Sequence, residues 1–242
     1  METKQLKTLY FGVNTTMPAN SLLQNNISLY SWVTKNKPVP NFWGRKIVGD
    51  QALTRDEIEY LHRRGCKVAA IYPLSMNKTK KVHGITAAEE AATAATAIGI
   101  GRKSAIFYMV GDDSEVTTLF MKGYAQRILE LGYTPAFIAN TDANYAFDRE
   151  FCRGWQTDRE IFSQCVVWAT SPSLKEFNRI TTSHLIRPEE WIPFAPSAIK
   201  RADVAVWRYG AECHPIDTND GKATSFDLDL VLDPEVIINL MY

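Results

Sequence analysis

Short apolar runs alternate with amphipathic helical patterns along nearly the whole chain. Eight of these runs are rich in β-branched and aromatic side chains, a composition typical of buried strands. The predicted strands are 9–14, 41–48, 67–73, 104–110, 134–140, 165–170, 203–209 and 225–231. Regular alternation of strand and helix patterns is typical of repeated βα units and predicts a parallel sheet flanked by helices.

Two helix starts are marked by T-x-x-E motifs. Thr54 with Glu57, and Thr86 with Glu89, have the spacing of a capping box. In such a box the hydroxyl and the carboxylate satisfy backbone donors that lack a partner at the start of a helix. We therefore predict that a helix begins at each of these threonines.

Glycines mark the predicted helix ends. Gly65 and Gly99 lie where a left-handed C-cap is needed, and Gly132 ends a helix predicted at about 115–131. No repeat and no linker divides the chain. Its 242 residues match the roughly 250 residues typical of a (β/α)8 TIM barrel. We therefore predict an α/β protein with a single domain, a (β/α)8 TIM barrel spanning residues 1–242.

Charge and composition exclude several classes of function. The 27 basic and 27 acidic residues cancel, so nucleic-acid binding is not expected. No apolar stretch is long enough for a signal peptide or a membrane span, so we expect no membrane insertion. The expected location is cytoplasmic as encoded, with secretion by a non-classical route left open. The four cysteines lack metal-binding spacing, which predicts reduced thiols and no metal site.

The segment KSAIFYMVGDDSE, residues 103–115, places acids directly after a buried strand. Its apolar run ends at Gly111, and Asp112 and Asp113 follow where the chain would enter solvent. In a (β/α)8 barrel, the loops at the carboxyl ends of the strands form the active site. These two carboxylates are therefore candidate functional groups.

Six segments taken together resemble a known family. They are FGVNTT (11–16), FWGRKI (42–47), LTRDEIEYLHRRGCKVAAIYP (53–73), AIFYMVGDD (105–113), DVAVWRYG (203–210) and FDLDLV (226–231). In this order they resemble a family of glycoside-hydrolase-like TIM barrels of poorly defined function. That family is similar to the family 25 lysozymes, which cut the glycan strands of peptidoglycan. The resemblance implies a glycosidase-like activity on a bacterial cell-wall glycan, a reaction that requires no cofactor.

The resemblance also implies acids at the ends of the first and fourth strands and within the last strand. The first of these positions falls on Asn14, which cannot ionise. The second falls on Gly111 or, after a one-residue shift that reverses which side chains face inward, on Asp112. The third falls on Asp227, and Asp229 lies two residues further along the same face of the strand.

Glycoside hydrolysis commonly needs one protonated and one ionised carboxyl group. We predict Asp112 as the general acid and Asp227 as its ionised partner. A substrate N-acetyl group acting as the nucleophile would lessen the need for a second carboxylate, and Asn14 could then orient that group. Alternatively, Asn14 and Gly111 mark a decayed site, in which Asp112 and Asp113 only cap the next helix.

Side chains at other strand ends suit a glycan-binding cleft. Aromatic faces stack on pyranose rings, while amides and carboxylates bind hydroxyl groups. An Arg inside an apolar strand must find a carboxylate or reach solvent, so Arg45 is predicted either to pair with Asp112 or Asp227 or to face the helix layer. The predicted binding residues are Asn14, Arg45, Tyr72, Asp113, Asn140, Trp168, Trp207 and Asp229.

Three hypotheses follow for function. The first is a glycosidase-like protein that acts on a cell-wall glycan by acid/base hydrolysis. The second is a catalytically inactive barrel of the same family that binds carbohydrate, and the third is an interaction module with a protein partner. Fold does not decide among them, since this barrel supports many functions. Two carboxyl groups about 5–10 Å apart in an open cleft would favour catalysis.

Overall fold

The computed structural model describes residues 8–23, 26–73, 79–111, 115–177, 187–214 and 225–242. In these residues, eight strands form a closed barrel in chain order, which confirms the predicted α/β barrel. The strands are β1 (Tyr10–Thr15), β2 (Phe42–Lys46), β3 (Lys67–Tyr72), β4 (Ala105–Met109), β5 (Thr134–Ala139), β6 (Val166–Ala169), β7 (Val206–Cys213) and β8 (Phe226–Val231).

Among the described residues, α-helices follow strands β1 to β5 on the outside of the barrel, and a last helix follows β8 and packs against the apolar layer inside the barrel. They are α1 (Leu29–Asn36), α2 (Arg55–His62), α3 (Lys81–Ala97), α4 (Thr118–Glu130), α5 (Ala146–Thr157), α6 (Arg159–Phe162) and α7 (Pro234–Leu240). Short 3-10 turns at Lys175–Phe177 and Arg201–Asp203 stand between β6 and β7. Within the described ranges, none of these helices has the length and apolar character needed to cross a bilayer.

The last strand runs in the opposite direction to the other seven. Strands β1 to β7 pair in parallel along the chain, whereas β8 is antiparallel to both β7 and β1. A barrel of eight parallel strands is therefore not formed. Since β8 starts where β7 ends, its first residues lie at the same edge of the barrel as the carboxyl ends of the other strands. We call this edge the mouth.

Side chains alternate between two separate apolar layers, as expected for strands with a period of two. Inside the barrel, Trp168 packs edge-on against Phe42 and Phe107, with ring centroids 5.9 and 5.2 Å apart. Outside it, Tyr108 of β4 packs against Phe120 and Tyr124 of α4. Both layers are buried. Whether a residue lies at an odd or an even position along its strand therefore decides whether its side chain points into the barrel or toward the helices.

Only one of the two predicted helix starts is observed. The Thr54 side chain accepts a hydrogen bond from the Glu57 N–H and caps α2, as predicted. In contrast, the helix start predicted at Thr86 is wrong, because α3 begins at Lys81 and Thr86 lies inside it. The added first turn carries Gly84, which packs directly against α4, so tertiary contact extends the helix beyond its local sequence signal.

The predicted helix ends are confirmed by left-handed backbone conformations. Gly65, Gly99 and Gly132 have φ angles of +70°, +89° and +84°, respectively. Each follows within a few residues of the end of α2, α3 or α4. Glycine adopts this conformation without the steric cost that a Cβ would impose.

Helices α3 and α4 approach each other at two glycines. A Cβ at Gly84 would lie 2.1 Å from the backbone oxygen of Phe120 and 2.7 Å from the backbone nitrogen of Tyr124. A Cβ at Gly123 would lie 2.3 Å from the backbone oxygen of Lys81. The obstructing atoms belong to the main chain, so only glycine allows this close packing of the two helices.

Candidate functional site

The mouth of the barrel brings Asn14 and Asp227 together. They are direct partners in the antiparallel pairing of β1 with β8. The Asn14 Nδ2 lies 3.5 Å from Asp227 Oδ2, and the backbone N–H of Glu212 donates to Asp227 Oδ1 at 3.1 Å. The Asp227 side chain is 22% exposed, so it is oriented by neighbours yet open to solvent.

A cation from β7 completes this cluster. The Nε of Arg208 lies 3.1 Å from Asp227 Oδ2 and 3.9 Å from Asp229 Oδ1. The Nε and Nη2 of Arg208 are buried and form no hydrogen bond among the residues that the structure describes, so the contact of Arg208 with Asp227 is an ion pair without a hydrogen bond. Sequence analysis missed Arg208, although a single Arg inside the apolar strand DVAVWRYG is the same signal that drew attention to Arg45.

Asp229 lies one layer deeper in the barrel and is fully buried. Its Oδ1 accepts a hydrogen bond from the Trp168 indole Nε1–H at 3.0 Å. Burial raises the pKa of the Asp229 carboxyl well above its usual range; the guanidinium of Arg208 opposes this, whereas the charge of Asp227 adds to it. Because it is buried and favoured in its neutral form, Asp229 supports the cluster from below and does not reach a ligand at the mouth.

The raised pKa of Asp229 predicts a pH-dependent stability. Between the ordinary pKa of an unfolded Asp, about 4, and the higher value in the folded state, the folded protein binds more protons, and its stability falls as pH rises. Asp229→Asn removes this titration and keeps an oxygen for the Trp168 indole. We expect the variant to become progressively more stable relative to the parent as the pH rises from about 4 to about 7.

Chemical denaturation of the two proteins at several pH values measures this difference. Asp56→Asn, an exposed change on α2, serves as the control. A difference between Asp229→Asn and the parent that stays constant over the interval would contradict a raised pKa at Asp229.

Arg45 faces the helix layer and not the barrel axis. Its guanidinium forms a buried ion pair with Glu57 of α2, with Nε 2.8 Å from Oε1. It also donates to the backbone oxygens of Thr15, Thr16 and Gln51. Of the two alternatives predicted for Arg45, the side chain therefore takes the one that faces the helix layer and does not pair with Asp227, because its position along β2 turns it outward. Instead, Arg45 anchors the loop that directly follows Asn14.

Two of the predicted binding aromatics also lie in the strand–helix layer. The Tyr72 hydroxyl donates to Glu90 of α3. The Trp207 indole Nε1–H donates to the Pro172 backbone oxygen at 3.0 Å, and its ring packs against Trp191. Their outward direction keeps them out of the cluster around Asp227. Trp168 does face inward, but it is fully buried and contacts Asp229, so it supports the cluster from below.

Asn140 stands at the mouth on the other side of the barrel. It directly follows β5 and is partly exposed. Its Oδ1 accepts hydrogen bonds from the Ser171 hydroxyl at 2.5 Å and from the Asp142 backbone N–H at 3.1 Å. Asn140 is thus held in place at the ends of β5 and β6, three strands away from β8.

The two acids after β4, Asp112 and Asp113, lie outside the described residues. Up to Gly111 the chain is described: Phe107 packs inside the barrel and Val110 packs in the helix layer. Alternation therefore gives the inward position to Gly111. The general-acid role of Asp112 stays a prediction.

Comparisons with known proteins agree with this architecture. A crystal structure of an uncharacterized B. stearothermophilus protein is 24% identical, with a TM-score of 0.77, and the match covers 96% of this chain and 100% of that one. The modular autolysin LytC from Streptococcus pneumoniae, in complex with a synthetic peptidoglycan ligand, is 8% identical with a TM-score of 0.52. The match to LytC covers 92% of this chain and 46% of that one.

The catalytic domain of endolysin ply40, from bacteriophage P40 of Listeria monocytogenes, is 10% identical with a TM-score of 0.51, and 96% of each chain is covered. At these identities the solved structures show a shared fold. No curated protein sequence matches the chain. The profile of the Rv2525c-like, glycoside hydrolase-like domain matches residues 36–229, which is most of the chain. The chain therefore belongs to the Rv2525c-like glycoside hydrolase-like family.

Proposed function

We propose that this protein hydrolyses a glycan of the bacterial cell wall, with Asp227 as the ionised carboxylate of the reaction. The observation that carries the proposal is the environment of Asp227 at the mouth of the barrel. The side chain is open to solvent, lies against the Arg208 guanidinium at 3.1 Å and accepts the Glu212 backbone N–H at 3.1 Å. A charged, oriented and accessible carboxylate is what a nucleophile or general base requires.

The other roles follow from the same cluster. Asp112 would supply the general acid from the loop after β4. Arg208 places a positive charge against the Asp227 side chain, and a guanidinium favours a carboxylate partner. The Asn14 amide lies against the same carboxylate and would orient a substrate N-acetyl group beside it. Asp229 and Trp168 fix the floor below Arg208.

The comparisons support a wall glycan as the substrate. The family is glycoside hydrolase-like, and two neighbours in fold are an autolysin with a peptidoglycan ligand and a phage endolysin domain. The net charge of zero gives no reason to expect a strongly charged macromolecular partner.

The test is cleavage of purified peptidoglycan and of chitin-type oligosaccharides, read as new reducing ends by mass spectrometry. We expect the parent to cleave and Asp227→Asn to lose roughly a hundredfold or more in rate, since acid/base groups contribute that much. Asp112→Asn is expected to behave in the same way. Asp56→Asn, an exposed carboxylate on α2, should cleave like the parent.

Equal cleavage by Asp227→Asn and the parent would remove Asp227 from the reaction. Cleavage that depends on Asp227 and not on Asp112 would reassign the general acid. Both variants must keep the thermal stability of the parent for either result to count.

A second candidate function is glycan binding without cleavage. It is favoured by Asn14, which stands where the resemblance implies an acid, and by the inward position of Gly111. Asp229 is buried, so of the two carboxyl groups of β8 only Asp227 reaches solvent. Binding of oligosaccharides by the parent and by Asp227→Asn, with no new reducing ends from either, would support this function and overturn hydrolysis.

A further inference from the structure

A cavity opens beside the end of β5, away from the cluster around Asp227. It has a volume of about 610 Å³ and is lined by residues 141–144, Phe194, Ala195 and Arg201. None of these residues has a part in the hydrolysis proposed above. Volumes of this size are typical of sites for small ligands.

Hydrogen bonds fix both walls of this cavity. The Thr141 hydroxyl donates to the Phe194 backbone oxygen at 2.9 Å, and the Phe194 N–H donates to the Ser171 backbone oxygen at 2.8 Å. Further along, the Ser197 N–H donates to the buried carboxylate of Asp148 at 2.6 Å. The segment that carries Phe194 is therefore tied to the ends of β5 and β6 and to α5, although it contains no helix or strand of its own.

The Phe194 side chain is 40% exposed despite this fixed backbone. An aromatic ring held at the surface loses contact with the apolar core, and Phe194 belongs to neither apolar layer of the barrel. A ring in a fixed position is suited to stacking against the apolar face of a pyranose, because little conformational freedom is lost on binding.

The polar groups of the cavity carry opposite charges. The Asp142 carboxylate accepts the backbone N–H and the side-chain amide of Asn144 at 2.9 and 2.8 Å, so its position is fixed. Arg201 is exposed, and its guanidinium has no ion-pair partner in the part of the chain that the structure describes. A guanidinium with free donors is matched in geometry and charge to a carboxylate.

We infer that this cavity is a subsite for a sugar unit that carries a carboxylate. The ring would stack on Phe194, the carboxylate would pair with Arg201, and a hydroxyl group would bind Asp142. Asn140 stands at the mouth and also contacts the cavity wall, since its Oδ1 accepts the Asp142 N–H. A glycan that crosses the mouth from Asp227 would reach this side. The inference rests on the proposed function, because it assumes that the ligand is a wall glycan.

Binding of two matched disaccharides tests the inference by titration calorimetry. N-acetylglucosaminyl-N-acetylmuramic acid carries a lactyl carboxylate, and di-N-acetylchitobiose has the same sugar backbone without it. We expect the parent to bind the acidic disaccharide roughly tenfold more tightly, the gain of one charge-assisted pair. Arg201→Gln is expected to abolish this preference, and Phe194→Ala to weaken the binding of both disaccharides.

The matched control is Arg102→Gln, which removes another exposed cation from a different surface groove and should leave binding unchanged. Binding of the acidic disaccharide with a dipeptide attached to its lactyl group is measured as well. There the lactyl carboxylate has become an amide and the free carboxylate lies on the peptide, so the comparison shows which carboxylate Arg201 prefers. An unchanged preference in Arg201→Gln, or no preference in the parent, would overturn the subsite.

Hydrolysis and the subsite fail in different ways. A parent that cleaves while Arg201→Gln binds unchanged would overturn only the subsite. A parent that binds with the expected preference and releases no new reducing ends would overturn only hydrolysis.

Discussion

Glu57→Gln is expected to lower the free energy of unfolding by about 3–5 kcal/mol, the cost of leaving one charge of a buried ion pair without its partner. Arg45 and Glu57 are 0% and 1% exposed, so water cannot replace the lost carboxylate. The Glu57 Oε1 also accepts the Ala19 N–H at 2.8 Å. The change therefore leaves a cation inside the strand–helix layer and weakens the loop that follows Asn14.

The control for this prediction lies on the same helix. Glu59 pairs with Arg63 at 3.5 Å, and both side chains are about two-thirds exposed. Glu59→Gln is expected to change stability by no more than about 0.5 kcal/mol, since water screens exposed pairs. Urea unfolding followed by circular dichroism compares the variants. Equal losses from Glu57→Gln and Glu59→Gln would show that the buried pair contributes no more than a surface pair.

Gly84→Ala is expected to lower the free energy of unfolding by about 3 kcal/mol, at the upper end for an overpacked interior. In an exposed helix the same change usually stabilises, by about 1 kcal/mol, because Ala has the higher helix propensity. Here the new Cβ would lie 2.1 Å from the Phe120 backbone oxygen of α4. The two helices must move apart, which also disturbs their apolar contacts.

Thermal and urea unfolding measure this loss. The sign of the change in stability decides between the two cases, since an exposed helix would gain stability and a close helix contact would lose it. Gly123→Ala meets the Lys81 backbone oxygen at 2.3 Å and should lose stability in the same way. Gly101→Ala is the control, because its Cβ would make only ordinary contacts with the Tyr242 ring, the nearest at 3.4 Å. Its effect is expected to stay within about 0.5 kcal/mol. A Gly84→Ala protein as stable as the parent would mean that α3 and α4 are not in such close contact.

Apolar runs located the strands well because burial on both faces leaves a continuous signal. Strand β4 was predicted at 104–110 and occupies Ala105–Met109. The direction of β8 could not be predicted, since FDLDLV alternates with a period of two when read either way. Local motifs were less reliable: T-x-x-E describes a helix start at Thr54 but lies inside α3 at Thr86.

The candidate site was predicted only in part, because sequence does not show which face of a strand is inside. Asn14 and Asp227, two positions that the family resemblance implied, do lie together. Arg45 and Arg208 give the same signal, a single Arg in an apolar strand. One faces Glu57 in the helix layer and the other faces Asp227 in the mouth. A shift of one residue along the strand is enough to exchange these two outcomes, and the amino-acid composition of a strand does not show which face a residue takes.

The reversed direction of β8 has a consequence for engineering this barrel. The loops after β1 to β5 each lead into a helix, so a loop grafted there lies between a strand and a helix. The connection between β7 and β8 instead joins the donor and the acceptor of one hydrogen bond, the Glu212 N–H and Asp227 Oδ1. Both partners lie near the ends of β7 and β8, so a substitution at this edge of the barrel acts on the donor and the acceptor together. Loop exchange to alter specificity is therefore best directed to the β5 side, where the geometry around Asp227 is left intact.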